Sequence, residues 1–350
     1  METALAYALT YITSVSHLTI KPSKVTILAD NDYYSHAPSS STPEDARFVD
    51  FGVRLQDAHK TGLGSSAALV TSFTGALLTH YLSSSQFSLS SEKGRSILHN
   101  LAQAAHCAAQ GKVGSGFDVA VAVYGTCKYR RFSPHMLSSL GEIGSKDFSA
   151  RVKEITEDTS SDPKLKWDAL LEKGKVTIPA GMALVMCDVD CGSQTVSMVK
   201  KVLAWKAADQ EGAKKLWDEL QAFNDTLEAE LAKSPVSMSG LEKAFSNIRS
   251  KIREMGTKSD VPIEPKEQTE LLDAVTAEVE GVAGGVVPGA GGYDAIVLLV
   301  KDNEKTIAEL KDFLAKWSKV KGSNVKLLGT KGELEGARVE DAELYVNAPK

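Results

Sequence analysis

The chain has 350 residues, a formal net charge of -5, 43% hydrophobic and 24% charged residues. That length favours two domains over one, and the composition suits a globular protein with a sizeable core. The acidic balance speaks against a nucleic-acid partner, whose usual footprint is a basic face, and no apolar run reaches the roughly 18 residues of a membrane span.

Residues 1–15 read as a helix, with Ala4, Leu5, Ala8, Leu9 and Ile12 at helical spacing. Glu2 in place of a basic leader region, and threonines that break the apolar run, argue against a signal peptide, so the cytoplasm is the expected location. "HLTI" and "KVTILAD" read as strands divided by Pro22, and a serine- and proline-rich loop follows. From Ser65 the chain reads as a helix with Leu69, Phe73, Ala76, Leu77 and Leu78 on its apolar face. "RSILHNLAQAAHCAAQ" is a second helix, and "DVAVAVYGTCKYRRF", rich in valine and aromatics, reads as strand. The chain is polar and irregular from about Ser133 to Gly174. A new strand-rich segment starts near Lys175, the expected boundary between domains at 1–174 and 175–350. Four amphipathic helices follow, near 196–208, 214–233, 238–255 and 265–280. A glycine-rich turn then enters the strand "AIVLLV", and "NEKTIAELKDFLAKW" is a last helix. The four cysteines, Cys107, Cys127, Cys187 and Cys191, read as reduced, partly buried thiols rather than as disulfides or a zinc site.

Three glycine-rich segments carry the candidate chemistry. In Thr61-Gly62-Leu63-Gly64-Ser65-Ser66-Ala67, glycines allow positive φ and close approach of a ligand to backbone, and the serines suit a helix start. The unpaired N–H groups of such a start form an anion site. A plain linker or tight turn is the competing reading. Gly62-x-Gly64-x-x-Ala67 also fits the dinucleotide pattern, but the upstream "VRLQDAHK" is polar and no acid follows until Glu92, so that reading fails. The second segment, Gly111-Lys112-Val113-Gly114-Ser115-Gly116-Phe117-Asp118, places a cation and a carboxylate at the ends of a flexible run. The third is Pro288-Gly289-Ala290-Gly291-Gly292-Tyr293-Asp294. Three such turns suggest one ligand surrounded by backbone amides.

"GLGSSAA", "GSGFD" and "PGAGGYDA" resemble motifs of the GHMP small-molecule kinases, and "AQGKVGSGFDVAVAVYG" and "GGVVPGAGGYDAI" are similar to the phosphomevalonate kinase branch of that superfamily. The resemblance runs from about residue 1 to 315. It implies an α+β fold of two domains, the first with a left-handed βαβ crossover and the second ferredoxin-like. ATP and a phosphorylated small-molecule acceptor would meet between them. It further implies that Lys60, Gly62, Leu63, Gly64, Ser65, Ser66 and Ala67 hold ATP, with Ser66 on Mg²⁺. Asp118 and Lys112 would be catalytic. Ser115, Gly116, Arg130, Arg131, Ser193, Thr195, Gly289, Gly291 and Gly292 would face the acceptor. Arg130 and Arg131 read equally well as a solvated strand end. The family opens with a P-x-K-x-x-L-x-G motif, and nothing here matches it. The expectation is therefore a chain that starts inside the family's first domain. Another GHMP kinase, such as a mevalonate kinase, and an inactive remnant are the alternatives. The oligomeric state is not legible in the sequence.

Overall fold

Helical periods at 1–15, 65–81, 92–110 and 148–157 produce a layer of packed helices. A computed structural model describes residues 1–35, 48, 59–138, 140–189, 195–330 and 332–345, the side chains at 35, 59, 60 and 195–197 lying outside that description. The elements of this half are α1 (Glu2–Val15), β1 (Tyr34–Ser35), β2 (His59–Lys60), α2 (Ser65–Tyr81), α3 (Glu92–Gln110), α4 (Phe117–Tyr124), β3 (Cys127–Arg130), α5 (His135–Ser138), α6 (Phe148–Glu157) and β4 (Leu170–Lys173). Their apolar faces meet in one core. Tyr7, Tyr11 and Ile12 of α1, Leu78 of α2, Leu98 and Leu101 of α3, Val119 and Val123 of α4, and Val152 and Ile155 of α6 are all buried in it. The buried face of α1 turns toward Tyr7 and Tyr11, which leaves Leu5 exposed rather than inside.

Two expectations change here. "DVAVAVY" is helix α4, not strand. Val119, Ala120 and Val123 are its buried residues, a spacing of one and then three that closes one side of a helical turn. A short apolar run does not tell helix from buried strand, and packing against α2 and α3 decided it. The strands expected at 17–20 and 24–30 do not form. The backbone there is irregular, and Leu18, Val25 and Ile27 are exposed. Alternation of apolar residues becomes a strand only beside a pairing partner, and none lies there among the described residues. Those residues contain only antiparallel ladders, β1 with β2 and β3 with β4 in this half. They hold no strands for the expected left-handed crossover.

The second half contains β5 (Met182–Asp188), α7 (Thr195–Ala208), α8 (Gln210–Leu231), α9 (Met238–Ser259), α10 (Lys266–Glu278), β6 (Val282–Val286), β7 (Ala295–Lys301), α11 (Glu304–Lys321) and β8 (Lys326–Leu327). The antiparallel sheet runs β6-β7-β5-β8. From its β8 edge the strands come fourth, first, third and second in chain order, with helices after the first and third. That is the split βαβ arrangement of a ferredoxin-like fold. Central strand β7 is buried on both faces. Ile296, Leu298 and Val300 meet Leu271 and Val275 of α10 and Leu310 and Leu314 of α11, while Leu299 turns to Leu241 and Phe245 of α9.

After β8 the chain returns to the first half. Thr126 donates to Glu333 O from its backbone (3.1 Å) and its hydroxyl (2.7 Å), and Ala337 N–H donates to Ala122 O at 2.8 Å. The last carbonyls of α4, which have no partner inside their own helix, are therefore capped by a segment about 200 residues away.

Behind α4, His99 is buried between the rings of Tyr124 and Trp167, with centroids at 5.6 and 5.4 Å. Its Nδ1 donates to Asn100 Oδ1 at 3.0 Å, and Asn100 Nδ2 donates in turn to Thr156 O. Burial lowers the His99 pKa to about 4, against the opposing bond to Asn100. Because the folded value lies below the ordinary one near 6.5, the unfolded chain binds the extra proton between those values, and stability rises with pH across that window. His99 is expected to cost the fold about 3 kcal/mol between pH 6.5 and pH 4, of which about 2 kcal/mol is gone by pH 5. Urea unfolding at pH 7 and pH 5 measures it. His99→Phe, which keeps a ring between Tyr124 and Trp167, should flatten the difference.

Candidate active site

The site begins with two helix starts that the sequence leaves uncapped. At four other helices a side chain closes the first turn: Ser91 on α3, Asp209 on α8, Ser237 on α9 and Asn303 on α11 each accept from the backbone N–H of the helix's third residue, whereas α1, α6 and α10 have no such bond. At α2 the preceding residue is Gly64, and at α4 it is Gly116. Both are left-handed (φ 71° and 80°), and neither can offer a capping side chain. Gly116 has a second reason to be glycine, since a Cβ there would lie 2.6 Å from Gln103 Oε1 and 2.8 Å from the Tyr129 hydroxyl. First-turn N–H groups without a side-chain acceptor, at the positive end of the helix dipole, are an electrostatic invitation to an anion; this holds for α2, while in α4 the N–H of Val119 is taken by Asp118 Oδ1 at 3.0 Å.

The two starts lie side by side. A Cβ built at Gly64 would sit 3.6 Å from the Cβ of Asp118, in the first turn of α4, and one at Gly62 would sit 3.8 Å from the Cβ of Asp294. Asp294 O in turn accepts from Val189 N at 2.8 Å, just past the end of β5. The three glycine-rich segments thus converge, with two carboxylates among them.

Local hydrogen bonds fix each loop. Thr61, buried, donates its hydroxyl to Asp32 O at 2.6 Å and anchors the first loop. The Tyr129 hydroxyl donates to Ser115 O and an Arg131 nitrogen to Val113 O, both at 2.9 Å, so β3 suspends the loop that leads into α4. Burial raises the Tyr129 pKa to about 12, which keeps it a donor. In the third segment, Gly292 N–H donates to Ile263 O at 2.9 Å, and Gly291 packs against the backbone of Ile263, so both are braced from behind. Gly289 is exposed with open space beside it.

The serines at the start of α2 have different partners. Ser65, buried, is hydrogen-bonded to the Tyr34 hydroxyl. Ser66 Oγ is 3.2 Å from His106 Nε2, and the same nitrogen lies 2.9 Å from the amide nitrogen of Gln110. An amide nitrogen only donates, so Nε2 accepts, and its single lone pair is shared between the Gln110 amide and the Ser66 hydroxyl. Burial lowers the pKa of His106. Asp118 opposes that shift and Lys112 adds to it, which places both charges close to the ring.

Comparison with known proteins decides the family. GHMP kinases N terminal domain is the family matched at residues 49–126. The phosphomevalonate kinase of Gibberella zeae is 56% identical over 350 residues, covering 99% of this chain and 77% of that protein. The Aspergillus fumigatus phosphomevalonate kinase is 52% identical over 364 residues, covering 99% and 74%. The chain belongs to the phosphomevalonate kinase family. Among solved structures, a Listeria innocua protein, Lin0012, superposes with a TM-score of 0.60 at 21% identity, covering 79% of this chain and 69% of that one. Streptococcus pneumoniae phosphomevalonate kinase gives a TM-score of 0.52 at 15% identity, covering 77% and 70%. These structures share the α+β GHMP kinase fold.

With the family established, the residues expected from sequence fall into three groups. Gly62, Leu63, Gly64, Ser65, Ser66, Ala67, Lys112, Ser115, Gly116 and Asp118 gather around the starts of α2 and α4, and Gly289, Gly291 and Gly292 lie on the facing loop. Arg131 is engaged with the Val113 carbonyl, while Arg130 is exposed at the end of β3. Ser193 and Cys191 lie outside the described residues, as do the side chains of Lys60 and Thr195. Sequence reading missed His106 and Asp294. His106 lies within an alanine-rich helix face and looks like core, and Asp294 looks like the turn acid before a strand. No helix among the described residues is long and apolar enough to cross a membrane.

Proposed function

We propose that the chain transfers the γ-phosphoryl group of ATP to the phosphate of 5-phosphomevalonate, giving ADP and 5-diphosphomevalonate. One observation carries this reading. Two helix starts led by left-handed glycines, those of α2 and α4, meet beside Asp118, in a chain 56% identical to a phosphomevalonate kinase. The 1–174 half would supply the nucleotide site, and the 175–350 half the facing wall.

The attacking atom is a phosphate oxygen of the acceptor. It forms a bond to the γ-phosphorus as the bridging bond to ADP breaks. The second pKa of a phosphate monoester is about 6, so at pH 7 the nucleophile is already mostly dianionic. Little proton remains for a base to remove. The obstacle is repulsion between two highly charged groups, which positioning and positive potential must offset. Backbone N–H groups from Gly62 to Ala67 cradle the nucleotide phosphates. Lys112, exposed at the end of α3, neutralises transferring charge. Asp118 holds the acceptor and its cations in line rather than taking a proton. Ser66 suits a hard, oxygen-preferring ion, because a hydroxyl that gives its proton to His106 Nε2, 3.2 Å away, keeps its lone pairs for a cation. Mg²⁺ held there with the phosphates would neutralise β- and γ-oxygen charge. On the acceptor side, Gly289 offers open backbone and Arg130 an exposed guanidinium.

An acceptor panel with coupled detection of ADP tests the reading. Turnover is expected with 5-phosphomevalonate. Activity on mevalonate in its place would assign the site to another branch of the GHMP kinases.

A further inference from the structure

A hydroxyl that lends a lone pair to a cation must send its proton elsewhere. Without a dedicated acceptor, the proton turns toward the nearest anionic oxygen, here a phosphate, and the lone pairs leave the cation. We infer that His106 is a positioning residue for Ser66, its Nε2 accepting the serine proton so that the oxygen's lone pairs face a phosphate-bound divalent cation. The inference rests on the phosphotransfer reading above.

Four observations support it. His106 is buried and belongs to α3, not to the phosphate loop, so the contact is made across a helix pair by residues 40 apart. Gln110, one turn further along α3, donates to the same nitrogen at 2.9 Å, which fixes that nitrogen as an acceptor. Ser65 cannot replace Ser66, because its hydroxyl is engaged with Tyr34 on the other side of the loop. Finally, no group of three or more His, Cys, Asp or Glu among the described residues could hold a metal ion by itself. An ion here depends on phosphate, water and few protein oxygens, so the orientation of each protein oxygen matters more.

Calorimetry of ADP binding to the full chain, with and without Mg²⁺, tests this. His106→Phe is expected to weaken Mg²⁺-dependent ADP binding by about 10–100-fold, the usual cost of losing an outer partner of a metal ligand, and to leave metal-free ADP binding unchanged. His106→Gln, whose amide oxygen can stand where Nε2 stood, should restore most of the loss. Ser66→Ala should match His106→Phe, and the double variant should be no weaker than either. An equal loss with and without Mg²⁺ would make His106 a packing residue and overturn the inference. So would His106→Gln behaving like His106→Phe, or an unchanged affinity in both. If the unaltered chain binds no ADP under either condition, the phosphotransfer reading itself falls, and that outcome is distinct from the others.

Discussion

Asparagine at position 118 is expected to lower kcat by about 10²–10³, the cost of removing one electrostatic group from a site of developing charge, and by the same factor at pH 6.5 and pH 8.5. Asp118 Oδ1 accepts from the N–H of Val119 at 3.0 Å, in the first turn of α4. Asparagine keeps an oxygen for that bond, so α4 should start as before and only the charge is lost. The pH profile carries the argument. A general base matters most where the acceptor still holds its proton, below its second pKa of about 6, and matters less as the acceptor ionises. Steady-state rates for both proteins between pH 6 and pH 8.5 decide it. A loss that shrinks steadily with rising pH would mean that Asp118 removes a proton, and the orienting role proposed for it would be wrong.

The second large effect lies behind the opposite wall. Glu264 is almost fully buried at the head of α10, and its Oε1 receives Arg249 at 2.8 Å, Arg253 at 2.8 Å and the Thr269 hydroxyl at 3.0 Å. Arg249 also reaches Asp273 at 2.7 Å. This cluster fixes residues 261–264, against which Gly291 and Gly292 are packed. Removing one member of a buried ion pair leaves the other desolvated and costs about 3–5 kcal/mol, whereas replacing both with apolar residues of similar size is often neutral. Arg249→Met is expected to destabilise the fold by about 3 kcal/mol, the lower end of that range, because Arg253 and Thr269 stay with Glu264. Denaturant unfolding followed by tryptophan fluorescence measures it. Arg249→Met combined with Glu264→Leu should recover most of the loss. If the double variant is as unstable as the sum of the singles, the cluster stabilises by its charges, and the desolvation argument fails.

Much of this protein was legible in the chain itself. Helical spacing located α3, α8, α9, α10 and α11, and the pair Gly64-Ser65 marked the start of α2, a left-handed glycine followed by a helix-compatible serine. The three glycine-rich segments were also visible, because glycine at a backbone–ligand or backbone–backbone approach is a local requirement that leaves a local mark. Their shared purpose was readable only by resemblance to the GHMP kinases.

What the tertiary structure decided is the set of partners. Residues 117–124 could pair as a strand or wind as a helix until α2 and α3 were packed against them, and that choice placed Asp118 on a helix start. Val25 and Ile27 have a strand's alternation yet remain exposed, since a ladder needs a neighbour as well as a pattern. The capping of α4 by Ala337 crosses more than 200 residues. His106 meets Ser66, and Asp294 meets Gly62, through contacts that the periodicity of neither segment encodes. Periodicity records how much of each side chain is removed from water. It does not record which other side chain lies across the contact, and in this site the hydroxyl's acceptor and the loop's opposite wall are both of that second kind.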